Sequence, residues 1–177
     1  MKKEKWALAA LAGAGVAALA YKLLSKSDIP EAAIFKPFDK KRFMGLWHEA
    51  ARLPSMIEKN LKDLTEDYSL NDDGSFKVVT RAYNSKKQEW KEFSGLIKSK
   101  VAEDSGRLKV SYLEPVYFAY NVLDVDDDYK YALVSSSNLS YLWILSREKS
   151  VPQEIKDRFL RAAEGIGFNT SKLEWQF

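Results

Sequence analysis

From Gly45 onward, apolar and polar residues alternate with a period of two, and turn-forming residues interrupt the alternation at short intervals. This pattern is typical of an all-β sandwich or barrel built from half-buried strands. It predicts eight strands in an unbroken meander, at residues 45–53, 64–70, 76–83, 90–98, 108–113, 117–123, 129–135 and 141–146. We expect an eight-stranded up-and-down antiparallel β-barrel, because closure removes the exposed sheet edges.

After the eighth strand, the spacing of apolar residues changes from strand-like to helical. Residues 150–153 have the pattern of a capping box, with a proline that the first helical turn tolerates. Gly165 and Gly167 are expected to end the helix. One helical face is apolar and should pack on the outside of the barrel; it consists of Ile155, Phe159, Ala162 and Ile166. Residues 173–177 could add a short final strand.

The N-terminal region has the composition of a targeting segment. Lysines precede an uncharged Ala/Leu/Gly run, which predicts that residues 1–24 are a signal peptide or an N-terminal membrane anchor. Residues 25–37 are expected to be a linker, and residues 38–177 the folded domain. The leader predicts export to the cell envelope, into the periplasm or held on a membrane by this segment. Because the chain has no Cys, we also expect that it is not a Cys-anchored lipoprotein.

Composition argues against several kinds of site. The net charge of +3 comes from lysines in and beside the leader, so the rest of the chain offers no basic footprint for nucleic acid. With one His and no Cys, a metal site is not expected. The aspartates at 124 and 126–128 lack the Gly and distal Glu of an EF-hand loop, which favours a solvated turn. No catalytic residue and no cofactor are predicted.

Three separated motifs carry a family resemblance. They are Gly45-Leu46-Trp47 followed by residues 49–53, the stretch 128–134, and the stretch 141–147, which ends in Arg147. In this order and spacing they resemble the lipocalin family, and most closely its branch of bacterial lipocalins and apolipoprotein D. The resemblance covers residues 38–177, and it implies that Arg147 lies across the indole of Trp47. A guanidinium on an indole face contributes about 0.5–2 kcal/mol, so Gly45, Trp47 and Arg147 are expected to form the closed floor of the barrel.

The resemblance also implies a function and a set of inward-facing residues. Lipocalins of this branch bind and transport small amphipathic hydrophobic ligands, so we expect fatty acids or lysophospholipids in the bacterial cell envelope, with a role in membrane maintenance under stress. Strand alternation around Trp47 and Arg147, together with similarity to apolipoprotein D, gives the predicted cavity lining. The predicted ligand-binding residues are Glu49, Tyr68, Val78, Thr80, Trp90, Val110, Tyr112, Asn121, Tyr141, Trp143 and Leu145.

Some alternatives stay open. On the fourth strand either Trp90 or Phe93 faces inward, and Trp90 is preferred. Ala51 is expected to face inward with Glu49, and Ala119 and Leu123 with Asn121, whereas His48 is expected to face outward. An enzyme on the same barrel (an isomerase or a peroxidase) and a tetrapyrrole binder are the competing functions. A tetrapyrrole binder would be expected to have a His that faces the interior. The sequence leaves a homodimer open.

Overall fold

A computed structural model of the chain describes residues 27–56, 58–101 and 103–177. The predicted leader at residues 1–24 lies outside these described residues. Within the described ranges, two helices and nine strands form the regular structure, apart from two single 3₁₀ turns at Glu31–Ala33 and Thr170–Lys172. They are α1 (Lys40–Phe43), β1 (Gly45–Arg52), β2 (Leu61–Leu70), β3 (Phe76–Asn84), β4 (Glu89–Ser99), β5 (Arg107–Leu113), β6 (Val116–Val125), β7 (Tyr131–Ser135), β8 (Leu142–Ser146), α2 (Gln153–Ile166) and β9 (Glu174–Trp175).

The first eight strands close into a barrel. Each pairs antiparallel with the next along the chain, and β1 pairs with both β2 and β8, which completes the ring. In the closing register Gly45 lies opposite Tyr68, and His48 lies opposite Ser146. The predicted eight-stranded meander is therefore confirmed, and β9 adds a short pairing to the end of β1.

Alternation along the strands divides the apolar residues between two cores. One fills the lower half of the barrel interior and includes Phe43, Trp47, Tyr68, Phe76, Ile97, Leu108, Val122 and Leu145. The other lies outside the barrel, between its wall and α2, and includes Ala50, Ala51, Leu123, Leu133, Ile144, Phe159 and Ala163. Strands β7 and β8 contribute to both cores, which explains why β7 is buried along its whole length.

The structure contradicts the predicted start of helix α2 and confirms its predicted end. Its N-cap is Pro152 without a side-chain hydrogen bond, so the predicted capping box is wrong; the carbonyl of Ser150 instead accepts the Ser146 hydroxyl at 3.0 Å. Its end is as predicted, because Gly167 adopts a φ of 112° and donates its N–H to the carbonyls of Ala163 and Glu164. The apolar face of α2 packs on the barrel wall, as expected.

Residues 27–38, expected as a linker, form a strap along the barrel wall. Ile29 and Ile34 are buried in the outer core, and Phe38 in the inner one. The Arg107 guanidinium holds the strap by donating to the Glu31 carboxylate at 2.7 Å and to the Ile29 carbonyl at 3.2 Å. Within the described part of the chain, no helix is both long and apolar enough to span a bilayer.

Candidate ligand-binding site

The lower end of the barrel is closed around Trp47. Its indole is fully buried and donates Nε1–H to the Phe43 carbonyl at 2.8 Å. The Arg147 guanidinium lies 4.0 Å from the Trp47 ring centroid and donates to the carbonyls of Leu46 at 3.0 Å and Arg42 at 2.9 Å. Gly45 has a φ of 91°, and a Cβ there would lie 3.2 Å from Arg147 Nη1, so glycine leaves space for the guanidinium.

Above this floor, side chains from opposite walls form a polar layer. The Tyr68 hydroxyl donates to the Glu66 carboxylate and lies 2.7 Å from the Tyr120 hydroxyl. Nearby, the Tyr112 hydroxyl and Thr80 Oγ1 are 3.1 Å apart. These are the strand faces that the sequence assigns to the interior for β2, β3 and β5. Hydroxyl and carboxyl groups are therefore part of the barrel interior between the floor and the open end.

Aromatic side chains line the wall between the polar layer and the open mouth. Phe93, Phe118 and Trp143 are half-buried on three different strands, and Tyr141 stacks on Trp143 with ring centroids 6.0 Å apart. Tyr112 reaches the interior beside Gly95, where a Cβ would come within 3.0 Å of its ring. This wall is apolar enough for an alkyl chain, and its hydroxyl and indole N–H groups give it a few polar positions.

A buried pair of Glu49 and Arg52 occupies one side of the same space. Glu49, only 2% exposed, accepts a hydrogen bond from Arg52 Nη1 at 2.6 Å. Arg52 Nη2 donates to the carbonyl of Leu61 at 2.7 Å and to that of Glu58 at 3.3 Å. The Glu58 carboxylate in turn accepts Trp143 Nε1–H at 3.0 Å. The start of β2 and the connection before it are thus held to the barrel wall through a guanidinium and an indole.

Enclosure in the barrel raises the pKa values of the buried carboxyl and phenol groups. Burial raises the pKa of Glu49 to about 8, with repulsion from Glu58 in the same direction and attraction to Arg52 against it. Burial also raises the pKa of Glu66 to about 7, although this residue is half-buried rather than fully enclosed. The pKa values of Tyr68 and Tyr120 are raised by burial, so both phenols stay protonated. The carboxyl groups of Glu49 and Glu66 are therefore both mostly protonated at mildly acidic pH.

Two predicted lining residues lie outside the barrel. Trp90 is 50% exposed on the outer wall, with the Arg81 guanidinium 4.6 Å from its ring centroid. The prediction that Trp90 faces inward is wrong. Lys91 and Phe93 lie opposite the inward-facing Ala82 and Thr80, so they share the inner face of β4 and Trp90 lies on the outer face. Asn121 also faces outward and donates Nδ2–H to the Ser136 carbonyl at 2.8 Å.

The error at Asn121 affects the whole of β6. Val110 faces inward and pairs with Phe118, so Phe118, Tyr120 and Val122 share the interior. Ala119 and Leu123, predicted with Asn121, therefore face outward, and Leu123 packs in the outer core. The remaining predicted lining residues lie on the interior side as expected; they are Glu49, Tyr68, Val78, Thr80, Val110, Tyr112, Tyr141, Trp143 and Leu145.

A bulge changes the face of β1 part-way along. The register shifts between Glu49 and Ala51, so Ala50 and Ala51 both pack outside and Arg52 turns inward. The prediction that Ala51 faces inward is therefore wrong. Arg52 was not predicted to face inward for the same reason. Tyr120 was not predicted to face inward because the two faces of β6 were exchanged in the prediction. A signal for Phe93 was present, since it alternates with Gly95 and the buried Ile97.

The sole His does not contribute to the cavity. His48 lies on the outward face of β1, half-buried, where burial and the charge of Lys149 lower its pKa. Among the described residues, no group of three or more His, Asp or Glu side chains is arranged to hold a metal ion.

Comparisons with known proteins agree with this architecture. The family profile described as a Lipocalin-like domain matches residues 38–177. This chain belongs to the lipocalin family. It is 39% identical over 138 residues to the protein named Outer membrane lipoprotein Blc of Escherichia coli K12, and the match covers 78% of each chain. Identity to Apolipoprotein D of Rattus norvegicus is 27% over 133 residues, covering 71% of this chain and 69% of that protein.

Solved lipocalin structures match the fold at lower sequence identity. Insecticyanin from Manduca sexta superposes with a TM-score of 0.67 at 20% identity, covering 85% of this chain and 86% of that one. The chain therefore lies in the branch of bacterial lipocalins and apolipoprotein D, and small hydrophobic ligands are the class that this family binds.

One prediction is overturned by the same comparisons. The chain was expected to be an exported envelope protein other than a Cys-anchored lipoprotein. The part that sets this chain apart from Cys-anchored lipoproteins is contradicted, because relatives from three bacterial species at 38–39% identity are named as outer membrane lipoproteins.

Proposed function

We propose that this lipocalin binds and transports single-chain amphipathic lipids, with fatty acids and lysophospholipids as the two candidate classes. The observation that carries the proposal is the half-buried aromatic wall of Phe93, Tyr112, Phe118 and Trp143 in a barrel closed at one end. An alkyl chain lying on this wall would be shielded from water. The polar head would stay near the mouth, where burial and Glu58 raise the pKa of Tyr141 and keep its hydroxyl protonated.

We infer binding rather than catalysis. The polar groups of the interior are engaged with one another: Glu49 with Arg52, Glu58 with Trp143, and Glu66 with Tyr68. The family and the relatives named above are binding proteins, which is compatible with this inference. The tetrapyrrole alternative is disfavoured because His48 faces outward.

Displacement of a fluorescent fatty acid tests the proposal. Each buried methylene contributes roughly 0.8 kcal/mol, so affinity should rise about fourfold per methylene until the chain fills the cavity. Fatty acids and lysophospholipids of matched chain lengths would show which class binds more tightly. If no single-chain lipid displaces the probe, or if displacement does not depend on chain length, the proposal fails.

A pair of variants ties the binding to the barrel interior. Ala82→Phe adds a ring on the inward face of β3, and Val79→Phe adds the same ring on its outward face. The inward variant should lose affinity for long chains while the outward variant keeps it. Equal loss in both folded variants would show that the ligand binds elsewhere.

A further inference from the structure

The barrel interior is filled at its lower end and open above it. Near the floor, the inward-facing Val78 and Val122 are 1% and 0% exposed. The next inward positions toward the mouth on those two strands, Thr80 and Tyr120, are each 8% exposed, and Glu66, opposite Thr80, is half-buried. Because these side chains face inward in a closed ring, the surface that they expose is cavity surface. The deep end of the cavity is therefore lined in part by hydroxyl and carboxyl groups.

One of these groups, the Glu66 carboxyl, has an oxygen atom open to the cavity. Its Oε2 accepts a hydrogen bond from the Tyr68 hydroxyl, which lies 2.7 Å from the Tyr120 hydroxyl. Its Oε1 has no hydrogen-bond partner among the described residues, and this oxygen is not one of the fully buried atoms. Glu66 can therefore accept a hydrogen bond from a ligand without losing the one from Tyr68.

No cation within the described part of the chain pairs with this carboxyl. Glu49 is paired with Arg52 at 2.6 Å, and Lys91, on the inner face of β4, is paired with Glu89 at 2.7 Å. Glu66 has no salt bridge of this kind, so its ionised form is an uncompensated negative charge inside the barrel. A ligand that brings a positive charge to Glu66 would remove that imbalance.

Phenol groups lie within electrostatic reach of the same carboxyl. Burial raises the pKa of Glu66 to about 7; the hydrogen bond from Tyr68 acts against this rise, and repulsion from Glu58 adds to it. Burial, and after it the charge of Glu66, raises the pKa values of Tyr68, Tyr112 and Tyr120. Three protonated phenols from three different strands therefore lie near Glu66.

These neighbours suit a primary ammonium group. Such a group has three N–H donors, and the Glu66 carboxylate and the phenol oxygens of Tyr112 and Tyr120 can accept hydrogen bonds from it. Hydrogen bonds between charged partners are the stronger ones. The half-buried Phe93 and Phe118 add aromatic surface, which attracts cations and accommodates an alkyl chain.

We propose that the cavity binds long-chain primary amines, with the ammonium group at Glu66 and the alkyl chain along the aromatic wall toward the mouth. This orientation is the reverse of the one proposed for single-chain lipids, whose polar head stays near the mouth and does not reach Glu66. Both orientations use the same cavity, and to that extent this one rests on the proposed function. A primary ammonium should be preferred over a trimethylammonium group, which has no N–H donor, and over a hydroxyl group, which has no charge.

Calorimetric titration of the full chain with four ligands of one chain length tests this selectivity. The ligands are decylamine, 1-decanol, decyltrimethylammonium and decanoate. At about pH 8 Glu66 is mostly ionised, and an alkylamine, with a pKa of about 10.4, carries its charge. A hydrogen bond between charged groups changes affinity by about tenfold or more, so decylamine should bind at least about tenfold more tightly than 1-decanol. Decyltrimethylammonium should bind more weakly than decylamine.

Two variants remove a carboxylate from opposite faces of the same strand. Glu66→Gln keeps the size of the inward side chain and removes its charge, so the preference for decylamine over 1-decanol should fall to about twofold or less. Asp67→Asn is the matched control, because Asp67 is exposed on the outer face and its replacement changes the net charge equally. This control should keep the full preference.

The pH dependence is a second measurement, and it needs no variant. Below its pKa, Glu66 must release a proton before it can pair with an ammonium group. The affinity for decylamine should therefore fall by about 25-fold from pH 7.5 to 5.5, and binding at about pH 6 should release most of one proton. Calorimetry in two buffers of different ionisation enthalpy measures this proton. The affinity for 1-decanol should change little over the same range.

Other titratable or charged groups face the same space, and all of them remain in Glu66→Gln. A pH dependence that this variant loses therefore belongs to Glu66. The other groups are Glu49 and Arg52 on β1, Glu58 in the β1–β2 connection, Tyr68 on β2, Glu89 and Lys91 on β4, Tyr112 on β5, Tyr120 on β6, Tyr141 before β8 and Arg147 at the floor.

Four results would overturn the proposal. If 1-decanol or decanoate binds and decylamine binds no more tightly than 1-decanol, the amine site is refuted while the lipid function stands. If none of the four ligands binds, both are refuted. If Glu66→Gln keeps the preference for decylamine, or if Asp67→Asn loses it equally, the ammonium group does not lie at Glu66. If decylamine binds to the unmodified chain without releasing a proton, the same conclusion holds even where Glu66→Gln does not fold.

Discussion

Truncating Trp47 to Ala would test whether the lower end of the barrel is a structural floor. The indole is fully buried, and burying 150–250 Å² of aromatic surface at about 25 cal/mol per Å² corresponds to roughly 4–6 kcal/mol. The variant also removes the stacking partner of Arg147, a contact of about 0.5–2 kcal/mol. Together the two terms predict a loss of about 4–8 kcal/mol, close to the whole stability of many domains.

Urea unfolding followed by circular dichroism measures this loss without relying on tryptophan fluorescence, which several tryptophans share. Trp90→Ala is the matched control, because it removes the same side chain from the outer wall. Its loss should be about 1 kcal/mol or less, from the contacts with Arg81 and Tyr83. Chain-length dependence of ligand affinity, measured where each variant is folded, should be preserved in both.

The opposite pattern would refute the reasoning. If Trp47→Ala kept full stability and lost ligand, Trp47 would be part of the binding site, and the floor assignment would be wrong. If Trp90→Ala were as damaging as Trp47→Ala, the placement of Trp90 on the outer wall would be wrong.

Three smaller perturbations probe the interior. Glu66 has a pKa raised from 4.5 to about 7, so folding is favoured by its protonation, and this stabilisation is complete below about pH 4.5 and is lost as the pH rises to 7. A rise of that size corresponds to about 3.4 kcal/mol for a fully enclosed group, and the partial exposure of Glu66 reduces it. Glu66→Gln should therefore remove about 1–2 kcal/mol of the pH dependence, measured by urea unfolding between pH 4.5 and 7. Gly95→Ala should cost roughly 1–3 kcal/mol, because the new Cβ meets the Tyr112 ring at 3.0 Å. Trp143→Phe removes the donor to Glu58 and should cost about 1–2 kcal/mol in thermal or urea unfolding.

Each of these has a result that would contradict it. An unchanged pH slope in Glu66→Gln would mean that Glu66 is ionised in the folded protein. If Gly95→Ala costs as much in a Tyr112→Ala background, the clash is not with Tyr112. If Trp143→Phe is equally costly when Glu58 is replaced by Ala, which removes the acceptor, packing rather than the hydrogen bond explains the loss.

The fold followed from the sequence because its signals are local. Strand alternation, the turns at 71–74 and 84–87 and the helix end at Gly167 depend on neighbouring residues only, and the structure has strands and turns at those places. The closed ring follows from eight such strands without an edge. The strap at residues 27–38 was harder to predict, because its burial depends on Arg107 and on a wall distant in sequence.

The interior was predicted less completely because a face assignment depends on register. On β1 one bulge reverses the alternation, so Arg52 enters the cavity where Ala51 was expected. On β6 the face is set by the pairing of Val110 with Phe118, across a strand that is itself irregular between Val110 and Leu113. A shift of one residue moves a whole strand face, which explains why Asn121 was misplaced together with its neighbours.

The position of Arg52 has a consequence for ligand selection. Apart from the floor, it is the guanidinium nearest the cavity, and its donors are engaged by Glu49 and by the carbonyls of Glu58 and Leu61. A fatty-acid carboxylate at Arg52 would compete with Glu49, and displacing Glu49 would leave a buried carboxyl without its partner. The interior therefore offers this anion little advantage over an uncharged or zwitterionic head. Discrimination among ligands should then depend mainly on the length of the apolar chain against the aromatic wall, and only weakly on the charge of the head.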